Sequence, residues 1–373
     1  METMVNIENN FWKGKRVFLT GHTGFKGSWL TLWLLNLGAE ICGYSLEPDN
    51  DQILFNQLNF NEKSTSRENG VIYNNFQDIR DFKKLQNCII KFKPDVVFHL
   101  AAQPLVKKSY RDPLYTWQVN LQGSLNLLEA LKPLNSFCAV VMVTTDKVYE
   151  NKNWDFSYRE NDLLGGHDPY SASKAAAEIA IASWRSSFCG VFDHQTTNLG
   201  ISTARAGNVI GGGDWARDRI IPDSIRSLID EKPIQVRSPL SSRPWQHVLE
   251  PLSGYLILAQ RIYEGNSFQS CLTSPFNFGP KNEGNRKVKD LINEIFKYWP
   301  GKYRDISKDN SPYEAKRLSL QIDKANNLLH WSPRWTFCES VKNTINWYRS
   351  VNNGESAIEC CLSDLRNYSG DTF

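Results

Sequence analysis

Beyond residue 15 the chain alternates short apolar runs with stretches in which apolar residues recur every three or four positions. RVFLT at residues 16–20 predicts a first strand, and Trp29, Leu30, Trp33, Leu34 and Leu37 then share a helical face that stops at Gly38. Further strands are predicted over residues 40–45, 71–73 and 96–100, in AVVMVTT ending at Thr145, and over 201–205. Pro94 marks the entry to the strand at 96–100. Helical patterns fall between them, near residues 82–91, 116–131 and 170–185. Strands alternating with helices in this way predict an α/β fold with a doubly wound parallel sheet.

After about residue 211 the alternation weakens, and Trp, Pro and Arg become frequent in DWARDRIIPD and SPLSSRPWQHVLEPL. This predicts a smaller C-terminal lobe laid against the carboxyl ends of the strands, where such sheets bind ligands. Residues 11–210 are therefore expected to form the sheet domain, and residues 211–350 mainly a substrate-binding lobe. Residues 1–10 and 351–373 are polar and weakly periodic, and both ends are expected to be loosely held.

With 373 residues and 41% hydrophobic composition the chain can bury a full core, which excludes a disordered protein. The 43 basic against 40 acidic side chains leave a net charge of +3, too weak a bias to imply nucleic acid or an anionic membrane as partner. No run approaches the roughly 18 uninterrupted apolar residues of a membrane span, and the N-terminus has no secretory h-region, so a soluble, cytoplasmic protein is expected. Eight cysteines without C-x-x-C spacing argue against a metal site or redox dithiol, and read instead as small buried hydrophobes in a reducing compartment.

The first strand runs into Gly21-His22-Thr23-Gly24-Phe25-Lys26-Gly27 and then a helix. Glycines in that context permit a tight turn and close backbone approach to a pyrophosphate, whose charge the helix N-terminus attracts. Gly21, Thr23, Gly24, Phe25 and Gly27 are thus candidate contacts of a dinucleotide in a Rossmann-like domain. His22 is a bulky residue in this turn that would crowd the cofactor. No arginine stands at the end of the second strand (GYSLEPD) to receive a 2′-phosphate, which favours NAD.

Tyr170 and Lys174 open a helix after Asp168-Pro169, and their i, i+4 spacing places both on one face. An ammonium beside the phenol would lower its pKa and make it a usable base. Tyr298 and Lys302 match the same spacing but enclose Pro300 and Gly301, which break the helix needed to align them. Thr145, Asp146 and Lys147 follow directly on the fifth strand, so their side chains emerge at the ligand-binding edge. Thr145 can hydrogen-bond a substrate hydroxyl, while Asp146 and Lys147 add a second acid and base that plain alcohol oxidation does not need.

GHTGFKGSWL, HLAAQPLV, VNLQGSLNLLEA, TTDKVYEN, YSASKAAAE, ARAGNVIGGGDWARDRIIPD and RPWQHVLEPLSGYL together resemble the extended short-chain dehydrogenase/reductase family, and within it the nucleotide-sugar 4,6-dehydratases. The similarity runs in order from about Phe11 to Arg349. Lys147 after Asp146 is similar to the enzymes acting on CDP-glucose, since those for dTDP-glucose and GDP-mannose usually carry glutamate there. The resemblance implies a lyase that uses NAD catalytically, with Thr145, Tyr170 and Lys174 removing the proton at the carbon 4 hydroxyl. It implies Asp146 as acid for the departing water and Lys147 where relatives place a glutamate base. It further implies Asp78 and Ile79 beside the adenine, Ala101, Ala102 and Gln103 beside the cofactor, and Asn120, Asn208, Arg219 and Arg243 as substrate contacts. A homodimer packed through the helices containing residues 121–128 and 170–181 is also implied. Two other readings stay open: a nucleotide-sugar 4-epimerase on the same scaffold, and a non-catalytic dinucleotide-sensing protein.

Overall fold

The computed structural model describes residues 7, 9–49, 53–60, 64–67, 70–189, 196–265, 271–307 and 317–370. Most of the expectation for residues 1–10 lies outside them.

The apolar runs form one sheet of β1 (Arg16–Thr20), β2 (Glu40–Ser45), β3 (Ser64–Arg67), β4 (Gly70–Phe76), β5 (Val96–His99), β6 (Cys138–Val143), β7 (Leu199–Ala206) and β8 (Pro275–Phe278). Their order is β8-β7-β6-β5-β1-β2-β4-β3, parallel throughout except for β3, which pairs antiparallel with β4 at one edge. The two directions of winding diverge between β1 and β5, so a crevice opens beyond their carboxyl ends.

Period-two alternation gives the sheet two cores. Val17, Leu19, Val96, Phe98, Val141 and Val143 face the side covered by α1 (Phe25–Asn36) and the long helix of residues 249–265. Phe18, Val97, Val140 and Met142 face the side of α2 (Phe82–Phe92), α3 (Gly123–Leu131) and α4 (Pro169–Phe188). The helix expected over 116–131 is interrupted: residues Gln118–Gln122 wind as a π-helix before α3 begins.

The boundary expected near residue 211 is not where the sheet ends. Beyond that boundary lie short strand pairs, Ser242–Pro244 with Asn285–Lys287 and Ile234–Val236 with Tyr303–Asp305. Between them, however, α5 (Leu249–Gly265) returns beneath the sheet and β8 pairs parallel with β7, from Pro275 opposite Thr203 to Phe278 opposite Ala206. Every residue of β7 is buried, so its outer edge required a partner strand.

The C-terminal tail is also corrected. α6 (Phe337–Asn352) is followed by α7 (Ala357–Ser369), whose Ile358, Cys361, Leu365 and Tyr368 are buried. The reason lies in α1, which is apolar all round: Trp29, Leu30, Leu32, Trp33, Leu34 and Leu35 are all at most 1% exposed. A helix with no polar face needs a cover on its outer side. Tyr368 meets Trp33 edge-to-face at 5.8 Å, and its hydroxyl donates to Glu250 Oε2 at 2.6 Å.

Candidate active site

The glycine turn leaves β1 with Gly21 at φ +72°, and a Cβ there would lie 2.6 Å from the Ala101 amide nitrogen. Two loops that flank the crevice therefore touch through backbone alone. Gly27 is equally constrained, since its Cβ would sit 2.1 Å from the Gly21 carbonyl oxygen. Gly24 differs: the only neighbour of its Cβ within 4 Å is that same oxygen, at 3.4 Å. Among the described residues nothing forbids a side chain there. Thr23 faces inward, its hydroxyl sharing a 2.8 Å hydrogen bond with Ser45 and donating to the Leu46 carbonyl. Phe25 is half-buried against Gly211.

His22 does not crowd this face. Its ring is fully buried on the far side of the turn, stacked on Phe76 at 6.0 Å and edge-on to Phe55, with Nε2 3.0 Å from Asn74 Oδ1. Burial lowers its pKa to about 4, so the ring is neutral.

From β5 the loop through Ala101, Ala102 and Gln103 is held by two side chains. The Thr20 hydroxyl accepts from the Leu100 and Ala101 amides at 3.1 Å. Asn120 accepts from the Gln103 amide at 2.8 Å and donates to the Gln103 carbonyl and to Ser173 Oγ at 3.2 and 2.9 Å. Asn120 is fully buried and its amide is committed to these partners, so it braces the loop against α4 rather than facing a substrate. The Gln103 side chain is likewise committed, to Thr116 and Leu105. Asp78 holds Arg80 in a forked ion pair at the mouth of β4, and the Ile79 carbonyl accepts from Asn126.

α4 starts where its caps dictate. Asp168 accepts from the Ser171 amide at 3.0 Å, Ser171 Oγ accepts from the Asp168 amide, and Pro169 occupies the first turn. Tyr170 and Lys174 then project together beneath the end of β6, and both are buried. Lys174 Nζ donates to the Val143 carbonyl at 3.2 Å. The helix holding Tyr298 ends at that residue, so the second tyrosine–lysine spacing lacks a shared helical face.

Burial raises the Tyr170 phenol to about 12, against hydrogen bonding by Thr145 and the positive charge of Arg219, which lower it. Lys174 itself is engaged by the Val143 backbone carbonyl, and burial lowers its pKa to about 8.

Thr145 caps a short 3-10 turn, Asp146–Val148, its hydroxyl donating to Asp146 Oδ1 at 3.0 Å. Asp146 is 2% exposed and its Oδ2 has no hydrogen-bond partner among the described residues. Burial raises its pKa, opposed by Lys147, Thr145, Arg243 and Lys26. A buried carboxyl surrounded by cations, with one free oxygen, is suited to give up a proton to a leaving hydroxyl. Lys147 is half-buried beside it. Arg219 pairs with Asp214 at 2.9 Å, and Arg243 donates to the Ser242 carbonyl, both from beyond residue 211. Asn208 is half-buried on the segment after β7, where its carbonyl accepts from the Gln246 amide.

Three residues that sequence reasoning passed over belong here. Lys26 points from the glycine turn toward Asp146, Lys174 and Arg219, with Nζ 3.3 Å from the Tyr255 hydroxyl, and burial lowers its pKa to about 7. Asp214 fixes Arg219, a pairing visible only as a five-residue spacing. Glu178 lies one helical turn beyond Lys174, where i, i+4 spacing was the available signal.

Residues 18–205 match the family model described as GDP-mannose 4,6 dehydratase. The chain is also 43% identical over 368 residues to the CDP-glucose 4,6-dehydratase of Salmonella typhimurium, covering 98% of this chain and 99% of that protein. The chain belongs to the GDP-mannose 4,6-dehydratase family. Its fold matches an epimerase of Methanothermobacter thermautotrophicus (TM-score 0.76, 23% identity, 94% of this chain and 97% of that one). It likewise matches the dTDP-glucose 4,6-dehydratase DesIV of Streptomyces venezuelae, solved with NAD and TYD bound (TM-score 0.74, 20% identity, 92% and 99%). Among the described residues no helix is long and apolar enough to cross a membrane, and no cluster of side chains could hold a metal ion.

Proposed function

We propose that the chain is a nucleotide-sugar 4,6-dehydratase that converts CDP-glucose to CDP-4-keto-6-deoxyglucose with NAD. The convergence of Tyr170 and Lys174 with Thr145, Asp146 and Lys147 at one strand end carries the reaction type. The full-length relative at 43% identity carries the choice of CDP.

The crevice fits a dinucleotide. Gly24 stands open where Gly21 and Gly27 are closed by backbone, at the N-terminus of α1, where unpaired amides and the helix dipole favour a pyrophosphate. The Ser45 hydroxyl is engaged by Thr23, and no arginine lies in residues 44–49 at the end of β2, which suits NAD rather than its 2′-phosphorylated form. When bound, NAD would supply the acceptor for hydride from carbon 4 and its donor to carbon 6.

The chain's own residues do the proton work. Tyr170, as phenolate, takes the proton of the carbon 4 hydroxyl, with Thr145 hydrogen-bonded beside it. Burial holds that phenol up at about 12, and the Thr145 hydrogen bond and the Arg219 charge work toward the phenolate. The resulting ketone acidifies carbon 5, Lys147 removes that proton, Asp146 protonates the oxygen leaving carbon 6 as water, and Lys147 then returns a proton to carbon 5 to complete the hydride addition at carbon 6. Arg219 and Arg243 present guanidinium donors to the substrate diphosphate from the lobe. Asn120 serves as a brace, as described above.

The active form is a homodimer of this soluble enzyme in the cytoplasm, packed through α3 and α4. Ile179 on α4 and Leu114 on the neighbouring helix are 59% and 74% exposed, an apolar surface for such packing. Steady-state rates with CDP-, dTDP- and UDP-glucose test the assignment. CDP-glucose is expected to give the highest kcat/KM by at least tenfold, and equal rates with all three would overturn the choice of base.

A further inference from the structure

Beneath the catalytic pair lies a buried ion pair that the reaction does not consume. Glu178 and Arg205 have side chains 1% and 2% exposed and meet at 2.9 Å. Glu178 Oε1 accepts from Thr144 Oγ1 at 2.6 Å and from Arg205 Nε at 3.0 Å, while Oε2 accepts from Thr203 Oγ1 at 2.8 Å and from Arg205 Nη2. Arg205 Nη1 continues to the Tyr149 hydroxyl at 3.0 Å, and that hydroxyl donates to Asn277 Oδ1 at 2.6 Å. One carboxylate thus joins α4, which carries Tyr170 and Lys174, to Thr144, the residue before Thr145. Through Arg205 it also grips Tyr149, the residue closing the turn that carries Asp146 and Lys147. Both halves of the site are referred to the same buried group.

The second consequence is electrostatic. Among the described residues no carboxylate hydrogen-bonds Lys174, and the groups bearing on its charge include Glu178 on its own helix, Lys26 from α1 and His99 from β5. His99 is neutral because burial lowers its pKa to about 3. Lys26 opposes a second positive charge, so Glu178 is the one group of the three that favours it. Glu178 itself is held ionised by Arg205, Thr144 and Thr203 against the cost of burial, with Arg185 the other cation nearby.

We propose that Glu178 is a positioning residue of this site, fixing Thr144 and the Asp146–Val148 turn against the catalytic helix and supplying the counter-charge that keeps Lys174 protonated. The proposal rests on the reading of Tyr170 and Lys174 as the working pair.

Glu178→Gln keeps the shape and removes the charge, but it strands the Arg205 guanidinium. The double variant Glu178→Gln/Arg205→Met is therefore measured beside it, and Thr144→Val removes only the strand-end link. With CDP-glucose and saturating NAD, the folded charge variants are expected to lose at least tenfold in kcat with KM within threefold. The alkaline limb of their kcat profile should move down by about one pH unit as Lys174 loses its counter-charge. Thr144→Val should lower kcat without moving that limb. A folded charge variant with parental kcat and limb overturns the proposal. Where neither charge variant accumulates folded, Thr144→Val decides: a parental kcat overturns the proposal, and a tenfold loss at unchanged KM supports it. Tyr170→Phe run in parallel separates the two levels. If it stays active the underlying reading fails, whereas if it is inactive and Glu178→Gln is parental only the role of Glu178 fails.

Discussion

Replacing Asp146 by asparagine removes a proton donor while changing almost nothing else. The side chain is 2% exposed, Oδ1 is fixed by the Thr145 hydroxyl at 3.0 Å, and Oδ2 lies against Gly207, whose missing Cβ leaves it room, since an added one would stand 2.8 Å away. The isosteric amide fits that space. Because burial raises the carboxyl's pKa, its ionisation works against folding above the unfolded pKa, so the asparagine variant should melt no lower than the parent near pH 7.5. General acid catalysis is commonly worth about 10²–10⁴ in rate, or roughly 3–5 kcal/mol of barrier, and that is the loss expected in dehydration. Oxidation at carbon 4 uses Tyr170 and should survive. Incubated with CDP-glucose and NAD, Asp146→Asn should therefore accumulate a 4-keto sugar that keeps its oxygen at carbon 6, with the absorbance of reduced nicotinamide persisting. Mass spectrometry of the quenched sugar nucleotide reads the first and stopped-flow absorbance the second. Dehydration within threefold of the parental rate would refute Asp146 as the acid.

The glycine turn separates two kinds of constraint. Gly24→Ala should leave the melting temperature nearly unchanged, because its Cβ meets only ordinary contact at 3.4 Å, yet should weaken NAD binding at least tenfold by calorimetry. Gly27→Ala should lower both, since its Cβ would lie 2.1 Å from a backbone oxygen. On α7, Asp364 is buried with one oxygen unpartnered among the described residues, and burial lifts its pKa from 3.8 to about 8. A raised carboxyl favours folding below its unfolded pKa and loses that contribution as pH rises through the folded value. Thermal melts of Asp364→Asn should match the parent at pH 4 and exceed it at pH 9, by on the order of 2–4 kcal/mol. A constant difference across that range would place the cause elsewhere.

Much of this was legible in the residues. Parallel strands buried on both faces are continuous apolar runs, and RVFLT, EICGYS and AVVMV could hardly be anything else. The Tyr170 helix was marked by Asp168, Pro169 and the i, i+4 spacing. β8 escaped because PFNF is four residues long and becomes a strand only through the open edge of β7. α7 escaped because its buried Ile358, Cys361, Leu365 and Tyr368 are diluted by polar neighbours, although they recur every three or four residues. The all-round apolar character of α1 was the complementary clue. The orientations of Asn120 and His22 were not legible for one reason. A polar side chain in a ligand-binding loop can turn away from the ligand, and only the positions of Ser173, Gln103, Phe76 and Asn74 show which way each points.

The central claim is a dehydration in which proton removal at carbon 5 follows oxidation at carbon 4. Incubating the protein with CDP-glucose and NAD in deuterated water, then weighing the product, tests it in one step. The account predicts loss of one water and retention of one deuterium, placed at carbon 5 by NMR. A product of unchanged sugar composition inverted at carbon 4, or NAD binding without any new product, would contradict it.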